Sequence, residues 1–260
     1  MSERHVARWR WWIHLILLGG FFVPGLAFGL RRTAPALGNN PHGLLVVSTI
    51  NLAAFAVVFA AAWLSSRATR EEMFLGWRRG WLVLPLGVAY SIGIRIVVAL
   101  VMLFVLAILL ASHIVTTETL QHVRATKLVD VEKVIDKSAM QHQPAYFWLT
   151  ITFVSFVVAG LREELWRAGT LAAMRALWPG RFGTRAGEIV AIAIIALVFG
   201  AAHIVMGPVA ALVAALLGFL LGLIIVFHRS VWPAVLAHGF FDALSLGLLP
   251  FVIDKLQGGM

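Results

Sequence analysis

Apolar residues run along this chain in long unbroken stretches, with neither the strict alternation of strands nor the single stripe of a soluble amphipathic helix. The stretches are Ile13 to Leu30, Gly43 to Leu64, Trp81 to Ser112, Ala145 to Trp178, Ala186 to Met206, Val209 to Phe227 and Trp232 to Ile253. A helix needs ~20 such residues to cross a bilayer. Membrane strands would alternate over segments of about ten residues, and no such segments occur. The pattern predicts an all-α polytopic membrane protein with about seven transmembrane helices in one bundle.

Breakers punctuate the pattern. Pro179-Gly180 stops the fourth stretch and Gly207-Pro208 turns the fifth into the sixth. Pro233 suits the first turn of the last helix. The first stretch could be a signal peptide cleaved near Ala34-Pro35-Ala36, but it is too long and ends on Arg31-Arg32, so a retained span is expected. In the connector after the second span, Met73-Phe74-Leu75 is expected to dip into the membrane interface. The one long hydrophilic stretch is 113–143, where Leu128, Val131, Val134 and Ile135 have helical spacing and predict an amphipathic surface helix. Three units follow: N-terminal transmembrane helices over 1–112, the extramembrane amphipathic segment over 113–143, and motif-bearing helices over 144–254.

Composition agrees. Hydrophobic residues make up 61% of the chain and mean hydropathy is +0.92, against roughly 45–50% apolar residues in soluble domains. The net charge of +9 raises nucleic acid as a partner. The basic residues sit mostly at the ends of apolar stretches, however, as in Arg67, Arg70, Arg78 and Arg79 of one connector, so the bilayer is the expected partner and nucleic acid is not. The bias favours a cytoplasmic N-terminus. The lack of cysteine removes disulfides, thiolate metal sites and a thiol nucleophile.

Against this apolar background, Arg162-Glu163-Glu164-Leu165-Trp166-Arg167 stands out. Each charge at mid-bilayer costs on the order of a few kcal/mol unless it faces protein or water, so intramembrane ionisable groups usually mark a site. Two later stretches carry Phe199…His203 and His238…Asp242. Residues four apart share one helical face. Three such faces brought together would supply two glutamates, two imidazoles and an aspartate, the ingredients for activating water and stabilising an oxyanion. Arg95 also lies within a span and needs a partner; a bridge to one of these carboxylates is expected.

These three motifs, in this order on separate helices, resemble the CPBP family (CAAX prenyl endopeptidases and bacteriocin-processing enzymes, also called the Abi family). Its signature is EExxxR, FxxxH and HxxxN or HxxxD, and the resemblance covers about Phe147 to Phe251. It implies an intramembrane endopeptidase that hydrolyses a peptide bond near the membrane. By this resemblance Glu163 with His203 would polarise the water, Glu164 would support the site, and His238 and Asp242 would hold the oxyanion, with Arg167 and Phe199 supporting. The family arginine should stand at Ala168, and Arg167 is one residue early, about 100° round the helix. An ionised Asp242 would repel an oxyanion, so it must be protonated or orient a histidine.

The resemblance implies no required cofactor; zinc held by Glu163, His203 and His238 is the alternative, since zinc accepts such ligands. The implied substrate is a peptide or membrane protein, prenylated or not, and a bacterial inner membrane is the expected location. The competing reading is a catalytically silent family member acting as a membrane scaffold or immunity-type partner; a proton-coupled transporter is the third. The plain structural alternatives are a self-neutralised ion cluster at Glu163, Glu164 and Arg167, a core histidine at His203, and a packing pair at His238 and Asp242. The remaining histidines read as interfacial or loop residues, and Gly218 with Gly222 as a helix-packing pair within the bundle.

Overall fold

The computed structural model describes residues 7–29, 35–114 and 129–251, with side chains from 7 to 21 in the first segment. The described chain is helical. Its elements are α1 (Arg8–Gly29), α2 (Pro41–Ser66), α3 (Val83–Ala111), a short α4 (Lys137–His142), α5 (Pro144–Leu177), a short α6 (Pro179–Phe182), α7 (Arg185–Ala202), α8 (Pro208–His228) and α9 (Trp232–Gly247). Six of the described helices are long and apolar enough to cross a membrane: α2, α3 with its preceding turn, α5, α7, α8 and α9 extended to Phe251. The protein is a polytopic α-helical integral membrane protein. α1, of 22 residues, occupies the place of the first predicted span. Arg31, Arg32, Ala34, Arg124, Lys127, Leu128, Ile253 and Lys255 lie outside the described residues.

Local chemistry sets the helix ends. Asn40 caps α2 by accepting the Gly43 amide at 2.8 Å, with Pro41 in the first turn. Thr184 caps α7 through the Gly187 amide at 3.1 Å. Gly207, at φ +108°, makes the turn into Pro208 and α8.

α5 is the spine of the bundle. From Thr150 to Leu161 its backbone is wound as a π-helix, and from Arg162 onward it is α-helical. The Ser155 hydroxyl follows the wider winding by donating to the Thr150 carbonyl five residues back at 3.0 Å. A π-stretch within a helix alters the direction of every side chain after it and often accompanies a functional site. The glutamate pair lies in the first turn after this change of winding. α9 packs on the π-stretch and on α3, α7 pairs with α8, and α1 lies on α2 and α5.

Two expectations are corrected. Met73 and Phe74 do not lie in the interface: they are 0% and 1% exposed, inside the main core. The loop is drawn inward because Val231 donates its amide to the Phe74 carbonyl at 2.8 Å and Trp232 donates its indole N–H to the Leu75 carbonyl at 3.1 Å. The described part of 113–143 is not one amphipathic helix. It is a single turn at Val131–Lys133 followed by α4. Amides of Ala36 and Leu37 bond the carbonyls of Lys133 and Val134, each at 3.0 Å, and these cross-chain bonds hold the segment as a strap.

Beyond the predicted site, Glu188 is fully buried and pairs with Arg175 at 2.7 Å and Arg229 at 2.6 Å, both guanidinium groups lying over the Phe74 ring. His14 is also buried rather than interfacial: its ring N–H donates to the Ala62 carbonyl at 2.8 Å and ties α1 to α2. Removing one member of a buried ion group costs about 3–5 kcal/mol, and the two arginines here are partly exposed. Glu188→Ala is therefore expected to lower unfolding free energy in detergent by about 3 kcal/mol, measured by thermal or denaturant unfolding, while Arg185→Ala leaves it nearly unchanged.

Candidate active site

The site is assembled where α5 and α9 come closest. At Gly160, one turn before Glu164, an added Cβ would lie 2.8 Å from the Val235 carbonyl oxygen, and at Gly239 it would collide with the Phe156 ring. No residue with a side chain fits at either place without moving the helices apart. This close approach brings His238 against the glutamate pair.

Glu164 and Arg167 are completely buried and His238 is 2% exposed. The Nδ1–H of His238 donates to Glu164 Oε1 at 2.9 Å, and Arg167 forms an ion pair with the same oxygen. The Arg167 guanidinium lies 4.8 Å from the centre of the Phe199 ring. Room for it comes from α8, where a Cβ at Gly218 would be 3.2 Å from Arg167 Nη2 and 3.0 Å from the Phe199 ring. Gly218 and Gly222 both face inward, Gly222 against Ile192 of α7. The early position of Arg167 therefore still brings its charge to Glu164, three residues away on the same face.

With Nδ1–H engaged by Glu164, the Nε2 edge of His238 faces the other two carboxylates. Glu163 Oε2 is 3.9 Å away and Asp242 Oδ2 is 3.6 Å away. Both gaps are too long for a direct hydrogen bond and suit a bridging water. Glu163 is 8% exposed, and the Asp242 side chain is 25% exposed, so the cluster has an open side. The other oxygen of Glu163 accepts from Arg162 Nη2 at 2.8 Å.

The remaining predicted residues stand as follows. His203, at the end of α7, donates its Nδ1–H to the Phe199 carbonyl at 2.8 Å, with the two rings 4.5 Å apart. That bond leaves the Nε2 edge of the ring turned away from the Phe199 carbonyl. His203 lies within electrostatic reach of Asp242, as do Glu163 and Arg95. Its ring is not within ion-pair distance of Glu163; the imidazole beside Glu163 is that of His238. Arg95 does not bridge to a carboxylate. It donates to the carbonyls of Phe240 and Phe241 and, at 3.0 Å, to Ser245 Oγ, and it stacks on the Phe241 ring at 4.4 Å. It thus clamps α9 beside Asp242 because helix carbonyls lie within its reach first. Sequence reasoning passed over Arg162 as a partner of Glu163 and Asn51 as a partner of Arg162. The signal available was Asn51 itself, an amide in the middle of an apolar span.

The family model described as type II CAAX prenyl endopeptidase Rce1-like matches residues 144–244. That stretch, under half of the chain, is similar to the Rce1-like family. No curated protein and no solved structure matches the chain. The matched segment begins with the first residue of α5 and runs two residues past Asp242, so it holds the glutamate pair, Arg167, Phe199 and both motif histidines, while Arg95 and Asn51 lie outside it.

The buried pair gives a direct test of packing and charge. Arg167→Leu leaves the buried Glu164 carboxylate without its guanidinium, with only the His238 bond remaining, and is expected to cost about 3–5 kcal/mol. Adding Glu164→Gln removes that carboxylate, and the double variant is expected to unfold at a higher temperature in detergent than Arg167→Leu alone. A double variant that is no more stable would mean that the two groups are not coupled.

Proposed function

We propose that this protein is an intramembrane endopeptidase in which Glu163 activates the attacking water. The observation that carries the reading is the pair of gaps from His238 Nε2, 3.9 Å to Glu163 Oε2 and 3.6 Å to Asp242 Oδ2, on the open side of an otherwise buried cluster. A water in the first gap touches a carboxylate that can take its proton and an imidazole that can orient it.

In this reading Glu163 Oε2 removes the proton as the water oxygen bonds to the scissile carbonyl carbon. The carbonyl electrons move onto its oxygen, and His238, as imidazolium, donates Nε2–H to that oxyanion. Collapse of the intermediate breaks the C–N bond, and Glu163 returns the proton to the leaving amine. Glu164, neutralised by Arg167, holds the other ring nitrogen and so fixes the direction of Nε2. Asp242, across the same nitrogen, orients His238. His203 lines the far side near Asp242, where its Nε2 edge can meet the leaving group or a second water.

Among the described residues no three His, Asp or Glu side chains are arranged to hold a metal ion, and the proposal routes no step through zinc. The substrate is a peptide or protein segment at the membrane, with a prenylated CAAX-type C-terminus as the first probe. The arginine bias fits a cytoplasmic N-terminus in a bacterial inner membrane.

The test uses the purified full chain in lipid nanodiscs and a quenched fluorescent peptide ending in a farnesylated CAAX sequence. Loss of a positioned general base costs about 10²–10⁴-fold, so Glu163→Gln is expected to reduce kcat by that factor without lowering the melting temperature. Unchanged turnover in Glu163→Gln would contradict the proposal.

A further inference from the structure

Asn51 lies halfway along α2, in an apolar span, with its side chain on the exposed surface of the bundle. In a lipid setting such an amide is costly unless it is bonded. Its oxygen accepts Arg162 Nη1 at 2.6 Å, and the adjoining Nη2 donates to Glu163 Oε1 at 2.8 Å. Among the described residues Arg162 is the guanidinium bonded to Glu163, because Arg167 is committed to Glu164.

We infer that Asn51 and Arg162 form a positioning pair, contributed by α2 and α5, which fixes one oxygen of Glu163 so that the other faces His238. The inference rests on the hydrolase reading for its consequence in turnover, though not for its geometry. The physical argument is one of degrees of freedom. An arginine side chain is long, and at a span surface it is free to swing its head toward the interface. Its guanidinium is a rigid plane, so pinning one terminal nitrogen sets the direction of the other. Asn51 supplies that pin from a helix outside the matched 144–244 segment. With Oε1 held, rotation of the Glu163 carboxylate is arrested and Oε2 stays at 3.9 Å from His238 Nε2.

An exposed ion pair in water would be worth little. This one lies within apolar spans, where solvent screening is weak and the charge needs its partners. Its place beside the proposed base, with the second glutamate oxygen left for His238, is what an ordinary stabilising bridge would not require. The first half of the chain thereby contributes to the chemistry of the second.

The experiment compares wild type, Asn51→Leu, Asn51→Gln, Arg162→Gln and Arg162→Lys as full chains in nanodiscs. Asn51→Leu keeps the outer surface apolar and is expected to fold. Displacing a reacting group by ~1 Å can cost about 10²-fold, and loss of the pin is expected to lower kcat on the farnesylated CAAX peptide by about tenfold with KM unchanged. Asn51→Gln is expected to recover most of that loss, whereas Arg162→Lys, which lacks the rigid fork that both bonds use, is not. The second readout needs no turnover: dicyclohexylcarbodiimide modifies carboxyl groups in apolar surroundings that no cation holds. Its labelling of Glu163, read by mass spectrometry, is expected to rise several-fold in Asn51→Leu and Arg162→Gln and to return toward wild type in Arg162→Lys. Wild-type labelling together with wild-type kcat in Asn51→Leu overturns the pairing and leaves the hydrolase reading intact. A wild-type protein that never cleaves the probe, yet shows the labelling pattern, counts against the hydrolase reading and supports the pairing.

Discussion

A carboxylate with no solvent contact needs cations around it, and the arrangement of this bundle follows from how Glu164 meets that need. Taking a charge into an apolar interior costs several kcal/mol even after relaxation, repaid only when partners are close and well directed. Arg167 supplies the opposite charge and the Nδ1–H of His238 supplies a directed hydrogen bond at 2.9 Å. Each partner depends on a helix being close enough. α9 reaches Glu164 because Gly160 and Gly239 let the backbones approach, and α8 admits the Arg167 head because Gly218 has no side chain. The same bond that stabilises Glu164 also aims the opposite edge of His238 at Glu163 and Asp242. Stability and orientation are thus served by one buried interaction.

Around that centre the other polar groups divide by whether they face it. Glu188 with Arg175 and Arg229 forms a separate buried group that locks the 69–76 loop under Phe74 and stabilises one end of the bundle. Arg95 braces the last turns of α9 through its carbonyls. The strap of residues 129–143 ties the loop before α2 to the start of α5, and Asp130 donates its amide to the carbonyl of Met206, three residues after His203. The helices before residue 144 therefore do more than add hydrophobic mass, since α2 reaches Glu163 through Arg162 and α3 braces Asp242's helix.

Much of this was legible in the residues. Long apolar runs and their Pro and Gly breaks placed the helices to within a few residues, because a bilayer-spanning helix is specified by hydropathy almost independently of its neighbours. Of the motif residues, Glu163, Glu164, Arg167, His238 and Asp242 lie together, with His203 further off at the end of α7. What could not be read was anything set by helix phase and contact across helices. The π-winding of Thr150–Leu161 leaves no mark in an apolar run, yet it decides where Glu163 and Glu164 point. The placement of His238 rather than His203 beside Glu163 depends on which helices approach at Gly160 and Gly239. The inward turn of Met73-Phe74 follows from hydrogen bonds to a segment more than 150 residues away, beyond any local pattern.

The centre of the account is the directed bond between Glu164 and His238 inside the bundle. Nitrogen-15 NMR of histidine-labelled protein in lipid nanodiscs reads it directly, with the His238 signal among the nine histidines assigned by its loss in His238→Gln. The account predicts a protonated Nδ1 on His238 whose resonance reports a strong hydrogen bond and moves when Glu164 is replaced by glutamine. An Nδ1 without a proton, or a His238 signal indifferent to Glu164→Gln, would contradict it.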